Sequence, residues 1–281
     1  MAISLGGQDV SRGLETGFAA FDRLIGGLLP GTLTVVAGRT PVGKTALALS
    51  MIANVAINAD QPKPVGVFTL EMSAEQMVWR LLHLLAEVDM RRKTRSGNLT
   101  RSDEAALKAA ASSLASSPVY IDDREPLALD ELQRRARCMR DTHRIELLVI
   151  DYFQLIRSSL HAAPLSKQLD GRGLAAGLHA LAKELDIPLL VLAHLCRPRL
   201  ENRLDPPRLS DLHDAAPLVS YARTVALLRR KEEECSGEGK EIESRRRVEL
   251  IIAKHEPGLT GSVPLTLHPG SGKFETDPAP V

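Results

Sequence analysis

One stretch of eight residues, Gly38 to Thr45, constrains this chain more than any other feature. It fits the pattern G-x-x-x-x-G-K-[ST], in which a glycine-rich loop wraps around phosphate groups. Residues 33–37 before it are apolar and β-branched and predict a buried strand. Residues 46–56 after it are good helix formers without glycine or proline. Strand, loop and helix in this order are the context in which the pattern predicts a nucleotide-binding site.

The residue types in this loop suit phosphate binding for chemical reasons. Glycines let successive backbone N–H groups converge on phosphate oxygens, and the N-terminal end of the following helix adds a partial positive charge. We expect Lys44 to reach the β- and γ-phosphates and the Thr45 hydroxyl to bind Mg²⁺. The residues predicted to contact the nucleotide are Gly38, Arg39, Thr40, Pro41, Val42, Gly43, Lys44, Thr45 and Ala46.

Composition narrows the remaining choices. With 281 residues, 44% of them apolar, the chain can form one large α/β domain or two small ones. Aromatic residues make up 3% and the net charge is +1, which argues against a broad base-stacking surface and a strong overall field for polyanions. Cys138, Cys196 and Cys235 are widely spaced and suit a cytoplasmic location. No leader segment and no membrane span are predicted.

Predicted strands and helices alternate along most of the chain. The apolar segments that predict strands are 33–37, 65–70, 118–121, 147–150, 188–193, 225–228, 248–253 and 262–267. Helices are predicted between the earlier strands, and one of them opens with a capping box at Ser73 to Gln76. This alternation is typical of a mostly parallel, doubly wound α/β sheet with helices on both faces.

Other segments are predicted to lie outside the sheet and its helices. Residues 157–173 and 197–208 predict long loops, with a helix beginning only at Leu174. The charged segment 229–247 predicts a solvated protrusion, and the proline- and glycine-rich stretch from Pro269 predicts a frayed tail. The arginines between 134 and 140 are interpreted as a solvated helix face, and Arg245 to Arg247 as either a solubilising run or a phosphate contact.

Glu71, Asp151 and His194 each come directly after a predicted strand, as the glycine loop does. If those strands are parallel, all of these groups meet at one edge of the sheet, where such folds bind ligands. Asp151 then fits a magnesium ligand opposite Thr45, Glu71 a general base for the attacking water, and His194 a sensor of the γ-phosphate. The structural alternatives are a turn-capping Asp151, a surface Glu71 and a structural His194.

The chain resembles the motor domain of the DnaB-type replicative helicases, a RecA-like ATPase family, from about Gly13 to Glu275. The resemblance rests on the glycine loop and on motifs that recur in family order. These motifs are Thr16-Gly17-Phe18 with Phe21-Asp22, Phe68-Thr69-Leu70-Glu71-Met72, Tyr120-Ile121-Asp122-Asp123, Val149-Ile150-Asp151-Tyr152-Phe153-Gln154-Leu155 and Leu181-Ala182-Lys183-Glu184-Leu185.

The resemblance implies a RecA-like fold whose mostly parallel sheet carries antiparallel strands at its C-terminal side. It implies one ATPase domain over residues 13–275, and a flexible arm is expected at 1–12 and a flexible tail at 276–281. The family's amino-terminal helical domain is expected to be absent, which is a departure from the family. It also implies ATP and Mg²⁺ as cofactors, a hexameric ring and single-stranded DNA as the partner. The residues that match the family's catalytic and magnesium positions are Lys44, Thr45, Glu71 and Asp151, and the basic residues of the DNA loop are Arg157, Lys167 and Arg172.

Several positions depart from the family pattern. His194 stands where the family has a glutamine that senses the γ-phosphate. The family's late strand ends in a lysine that is followed two residues later by an arginine finger; here Lys254 is kept and Glu256 takes the finger position. Such a finger contributes about 10³–10⁵ in rate. Lys254 is a candidate for a cation that acts on a neighbouring subunit, and Arg245 to Arg247 are alternatives.

Three functions are compatible with these observations. The first is an ATP-dependent helicase or translocase on single-stranded DNA. The second is a RecA-like module that binds ATP, hydrolyses it slowly, and regulates or loads a partner without unwinding. The third is a small-molecule kinase that uses the same loop, which the motifs after Asp151 fit poorly.

Overall fold

A computed structural model describes residues 13–89, 99–125, 128–157, 167–196, 205–231 and 245–277, with the backbone alone for 167–170. The predicted arm at 1–12 lies outside these ranges. So do residues 158–166 and 197–204 of the two predicted loops, residues 232–244 of the predicted protrusion and residues 278–281 of the predicted tail.

Helices and strands alternate through the described residues, as the sequence predicts. The helices are α1 (Ala19–Ile25), α2 (Lys44–Ala56), α3 (Ala74–Ala86), α4 (Arg101–Ala115), α5 (Leu129–His143), α6 (Lys167–Leu185) and α7 (Pro217–Tyr221). The strands are β1 (Leu33–Gly38), β2 (Val65–Thr69), β3 (Val119–Asp122), β4 (Leu147–Asp151), β5 (Leu189–His194), β6 (Ala222–Arg230), β7 (Arg246–His255), β8 (Gly261–His268) and β9 (Lys273–Thr276).

The strands of the described residues form one sheet in the order β3-β2-β4-β5-β1-β6-β7-β8-β9. The first six in this order are parallel to one another. The last three are antiparallel additions that extend the sheet beyond β6. The predicted fold class, a mostly parallel sheet with antiparallel strands at the C-terminal side, is confirmed.

Helices cover the two faces of the sheet. Helices α1, α2 and α3 pack on one face, and α5, α6 and α7 pack on the other. The central strands β1 and β4 are buried along their whole length, because both of their faces lie under helices. None of the helices within the described ranges is long and apolar enough to cross a membrane.

The predicted capping box opens α3. The Ser73 side chain accepts a hydrogen bond from the Gln76 backbone N–H, and the Gln76 side chain accepts one from the Ser73 N–H. Two otherwise unpaired backbone donors are thereby satisfied, so the helix begins where the sequence predicts.

Helix α6 begins earlier than predicted, because it includes Lys167 to Gly173 and does not wait for Leu174. Gly171, in the predicted loop, and Gly177, in the predicted helix, both have a packing role. A Cβ at Gly171 would lie 3.2 Å from the Asp214 carbonyl oxygen, and one at Gly177 would lie 2.5 Å from the Leu129 side chain. These glycines let neighbouring elements approach α6 closely, and that packing outweighs their low helix propensity.

The expectation of a frayed tail from Pro269 is wrong for Lys273–Thr276, which forms β9. Phe274 in this strand is 3% exposed, and its backbone N–H donates to the Ser50 hydroxyl on α2 over 3.0 Å. A Cβ at Gly43 would lie 3.2 Å from the Phe274 ring. The last strand therefore packs directly behind the glycine loop.

The interpretation of the α5 arginines as a solvated face is wrong for Arg135. Its side chain is 12% exposed, and it pairs with Glu131 at 2.6 Å and with the buried Asp122 at 3.3 Å. Arg134 matches the interpretation better, since its side chain is 66% exposed beside Glu131. Arg135 therefore ties α5 to the end of β3.

Candidate nucleotide-binding site

The glycine loop joins the end of β1 to the start of α2. Gly43, directly before α2, has φ 103°, a conformation that side chains disfavour. A Cβ at Gly38 would lie 2.6 Å from Val42 Cγ1, so the tight loop requires glycine there too. No side chain caps α2 and no acidic residue lies in its first turn. The first N–H groups of α2 therefore remain available to an anion.

Lys44 is the buried cation of this loop. Its side chain curls back so that Nζ donates to the Gly38 carbonyl oxygen at 2.9 Å, and the residue is only 6% exposed. Nζ also lies 3.2 Å from Nδ1 of His194. Burial lowers the pKa of Lys44, while the carboxylates of Asp151 and Glu71 act in the opposite direction.

The remaining loop residues differ in exposure. Pro41 is exposed at the tip, Val42 is buried beneath it, and Ala46 is half-buried in the first turn of α2.

Thr45, in the first turn of α2, lies beside Asp151 at the end of β4. The Thr45 hydroxyl donates to Asp151 Oδ2 at 2.8 Å, and Asp151 is 3% exposed. Burial raises the pKa of Asp151, the Thr45 hydrogen bond lowers it, and the charge of Glu71 raises it further. A hydroxyl beside one carboxylate fits Mg²⁺ that arrives with a nucleotide, because such Mg²⁺ uses few protein ligands.

His194 ends β5, the strand that lies between β4 and β1. The His194 Nδ1 lies 3.1 Å from the Thr40 hydroxyl and close to Lys44 Nζ. The Tyr152 ring packs edge-on against the imidazole, with 4.1 Å between the two ring centroids. Burial lowers the pKa of His194, and the Lys44 cation lowers it further, against the charge of Glu71.

Gln154 is a residue of this site whose role sequence reasoning missed. Its side-chain amide donates to the His194 carbonyl oxygen at 2.9 Å and accepts from the His194 N–H at 3.2 Å. It therefore holds the backbone of His194 through both polar groups. The sequence could have indicated this role, because Gln154 lies three residues after Asp151 within the motif from Val149 to Leu155.

An open cleft of about 410 Å³ lies in front of these side chains. Its lining residues are Thr40, Glu71, Tyr152, Gln154, His194, Leu195, Cys196, Leu212 and Asp214. Glu71 lies exposed at its rim, two residues beyond the end of β2. The predicted convergence of strand-end groups at the carboxyl edge is therefore present in the structure.

Sequence reasoning also missed a contact between the glycine loop and a 3₁₀ turn at Leu209–Ala215. Arg39 lies 3.5 Å from Asp211 Oδ2, and the Asp211 carbonyl oxygen accepts from the Cys196 N–H at 2.9 Å. The sequence shows no local pattern that joins these distant segments. The contact connects the end of β5 and the glycine loop through one short turn.

Lys254 lies at the opposite edge of the sheet. It sits near the end of β7, which pairs with the beginning of β6, and β6 runs parallel to β1. Its Nζ donates to the carbonyl oxygens of Val219 and Ala222 at 2.8 Å each and pairs with Glu256 at 2.9 Å. Lys254 and the glycine loop of the same chain are thus on different edges.

The residues predicted to bind DNA follow β4. Arg157 is exposed, and its carbonyl oxygen accepts from the Leu129 N–H at 2.9 Å. Arg172 is exposed on α6. Lys167 is the first described residue of α6, with its backbone alone described.

The sheet order and the loop geometry place the chain in the RecA-like class of α/β proteins. A search of solved structures gives the same class. One solved ATPase domain has a TM-score of 0.79 and 25% identity, and the match covers 94% of this chain and 91% of that one. A solved structure of a DnaB-like replicative helicase, described together with its interactions with primase, has a TM-score of 0.80 and 26% identity. That match covers 93% of this chain and 61% of the helicase chain.

The chain belongs to the DnaB-like helicase C-terminal domain family, whose model matches residues 13–276. It is 35% identical over 263 residues to the replicative DNA helicase DnaC of Bacillus subtilis (strain 168) and 34% identical to DnaB of Geobacillus stearothermophilus. These matches cover 93% of this chain and 56% of each relative, so the chain spans about half their length.

Proposed function

We propose that this chain is the motor domain of a replicative DNA helicase, which couples ATP hydrolysis to movement along single-stranded DNA. The observation that carries the proposal is the meeting of Lys44, Thr45 and Asp151 at the carboxyl edge of the sheet. Membership of the DnaB-like family supports the same conclusion. We assign residues 13–275 to one ATPase domain.

ATP binding is assigned to the loop from Gly38 to Ala46. The backbone N–H groups before and within the first turn of α2 donate to phosphate oxygens, and Lys44 exchanges its contact with the Gly38 carbonyl for the β- and γ-phosphates. The exchange is favourable because a buried ammonium gains charge-assisted hydrogen bonds.

Thr45 and Asp151 are assigned to Mg²⁺. When bound, the ion neutralises charge that develops on the phosphates during transfer. Their hydroxyl and carboxylate already lie 2.8 Å apart, which fits ligands on one side of a single ion.

Glu71 is assigned as the general base. Its carboxylate lies at the rim of the cleft, exposed enough to hold a water molecule. It would orient that water towards the γ-phosphate and accept its proton. His194, which lines the same cleft, is assigned to contact the γ-phosphate.

Lys254 lies at the edge of the sheet opposite the glycine loop, so it can act only on a nucleotide bound to another copy. A ring of identical subunits in head-to-tail contact brings those two edges together. We therefore propose a homo-hexamer in the cytoplasm, with Arg157, Lys167 and Arg172 directed to single-stranded DNA.

One observation favours a second function, an ATP-binding module that hydrolyses slowly and regulates or loads a partner. Glu256 is an exposed carboxylate that pairs with Lys254, the cation expected to act on a neighbour. A negative charge at that position would slow a reaction whose transition state gains negative charge.

One combined measurement separates the two functions. The molar mass is measured by light scattering with ATP, and hydrolysis is measured with and without single-stranded DNA. Ring-sized particles whose turnover rises several-fold with DNA support the motor. A monomer that binds ATP tightly without stimulation by DNA supports the binding module and contradicts the motor.

A further inference from the structure

The imidazole of His194 has a defined hydrogen-bonding state in this structure. Its Nδ1 lies 3.2 Å from the Lys44 ammonium, which can only donate, and 3.1 Å from the Thr40 hydroxyl, which can donate or accept. An ammonium has no acceptor capacity, so Nδ1 must accept and carry no proton. The ring is therefore neutral, with its proton on Nε2.

The surroundings hold this ring in place. Gln154 binds both backbone polar groups of His194, and the edge of the Tyr152 ring packs against the imidazole. His194 also lines the cleft assigned to the nucleotide. A fixed imidazole beside a phosphate site responds to charge mainly through its protonation.

We propose that His194 takes up a proton when a nucleoside triphosphate binds, so that this site binds triphosphate more tightly at mildly acidic pH. The inference rests on the proposed function, since it requires the nucleotide in the glycine loop. It adds a role for the imidazole that the glutamine expected at this position cannot perform.

Two changes on binding act in the same direction. The phosphates compete with His194 Nδ1 for the Lys44 ammonium, which leaves Nδ1 free to accept a proton. The γ-phosphate also brings negative charge beside the ring, and an opposite charge within a few ångströms favours the imidazolium. Diphosphate lacks this group and should cause a smaller uptake.

The other ionisable groups around the ring are compatible with this change. Those of the neighbouring elements are Arg39, Lys44, Glu71, Asp151, Tyr152, Cys196, Asp211 and Asp214. Without nucleotide, burial and Lys44 lower the pKa of His194. With triphosphate the pKa rises, so affinity is greatest below the lower pKa and weakens as pH increases towards the higher one.

Isothermal titration calorimetry tests the proposal with ATPγS and Mg²⁺ at pH 6.5. Titration in PIPES and in Bis-Tris, whose ionisation heats differ, gives the number of protons taken up per site. We expect the wild type to take up a larger fraction of a proton per site than His194→Gln, because the glutamine cannot be protonated. ADP should give a smaller difference.

His143→Gln is the matched control. His143 is exposed, ends α5 and stacks on Tyr120, away from the cleft. Its substitution should leave proton uptake unchanged. Equal uptake by the wild type and His194→Gln would overturn the inference, provided that both bind ATPγS.

A second measurement does not depend on the variant. The carbon-bound ring proton and carbon of His194 are followed by NMR across pH, with and without ATPγS. The midpoint should move to higher pH with the nucleotide, and an unmoved midpoint contradicts the inference alone. Wild type that gives no binding at all contradicts the proposed nucleotide site and the inference with it.

Discussion

Two lysine ammonium groups lie at opposite edges of the same sheet, and the protein satisfies them to different degrees. Lys254 has two carbonyl oxygens and a carboxylate within 2.9 Å, so each of its three protons has an oxygen partner. Lys44 is more deeply buried, yet its partners are one carbonyl oxygen and an imidazole nitrogen.

The difference indicates which edge is prepared for a ligand. At the Lys44 edge, burial shifts the pKa of Lys44 down and that of Asp151 up, and both shifts favour the neutral forms. Fully paired charges would show the opposite shifts. Perturbed groups of this kind in a cleft indicate a functional site. Lys254, by contrast, is saturated by oxygens of its own chain and would have to release some of them to act on another copy.

The largest predicted effect follows from removing the Lys44 ammonium. Lys44→Ala should abolish ATP turnover, because the other cation of the glycine loop, Arg39, is directed to Asp211 instead. Turnover by phosphate release and binding of a fluorescent ATP analogue measure the loss. Lys63→Ala is the control, since Lys63 forms a partly exposed pair with Glu146; unchanged turnover in Lys44→Ala would refute the site.

Next in size is the effect of Glu71→Gln. Loss of the proposed general base should lower turnover about 10²- to 10⁴-fold while ATP binding is retained. Single-turnover hydrolysis and equilibrium binding separate the two quantities. Glu75→Gln, on the exposed first turn of α3, should behave like the wild type. If Glu71→Gln hydrolyses at the normal rate, another group activates the water.

At the opposite edge, Glu256→Arg should raise turnover several-fold when subunits assemble, because a cation then replaces a carboxylate at the position of the finger. Turnover is measured at protein concentrations where light scattering confirms rings, with Glu256→Gln as the variant that only removes charge. No change in an assembled ring would assign the cation to Lys254 or to one of Arg245 to Arg247.

The smallest predicted effect is on stability. Lys254→Met should cost about 1–3 kcal/mol, because the carbonyl oxygens of Val219 and Ala222 lose a shared donor. Urea unfolding measures the loss, and ATPγS binding by the isolated chain should stay unchanged. If Lys254→Met were as stable as the wild type but bound nucleotide more weakly, Lys254 would contribute to nucleotide binding and not to stability. That result would contradict the difference described between the two edges.

The sequence was sufficient to predict the convergence of the site. The glycine loop, Asp151 and His194 each come at or just after the end of an apolar strand, and parallel strands place such groups at one edge. Backbone direction alone determines that placement. The capping box at Ser73 was equally predictable, because it depends on residues only three apart.

Features that depend on distant contacts were not predictable. Gly171 suggests a loop until the elements packed against α6 are known. Phe274 lies in a short strand whose burial comes from the glycine loop and α2. The partners of Lys254 and the hold of Gln154 on His194 also join segments far apart in the chain.

A crystal structure with ATPγS and Mg²⁺ would show where the nucleotide binds. We expect the triphosphate within the loop from Gly38 to Thr45, and the metal ion beside the Thr45 hydroxyl and Asp151. Nucleotide bound elsewhere, with Lys44 still on the Gly38 carbonyl and Thr45 still on Asp151, would contradict this expectation.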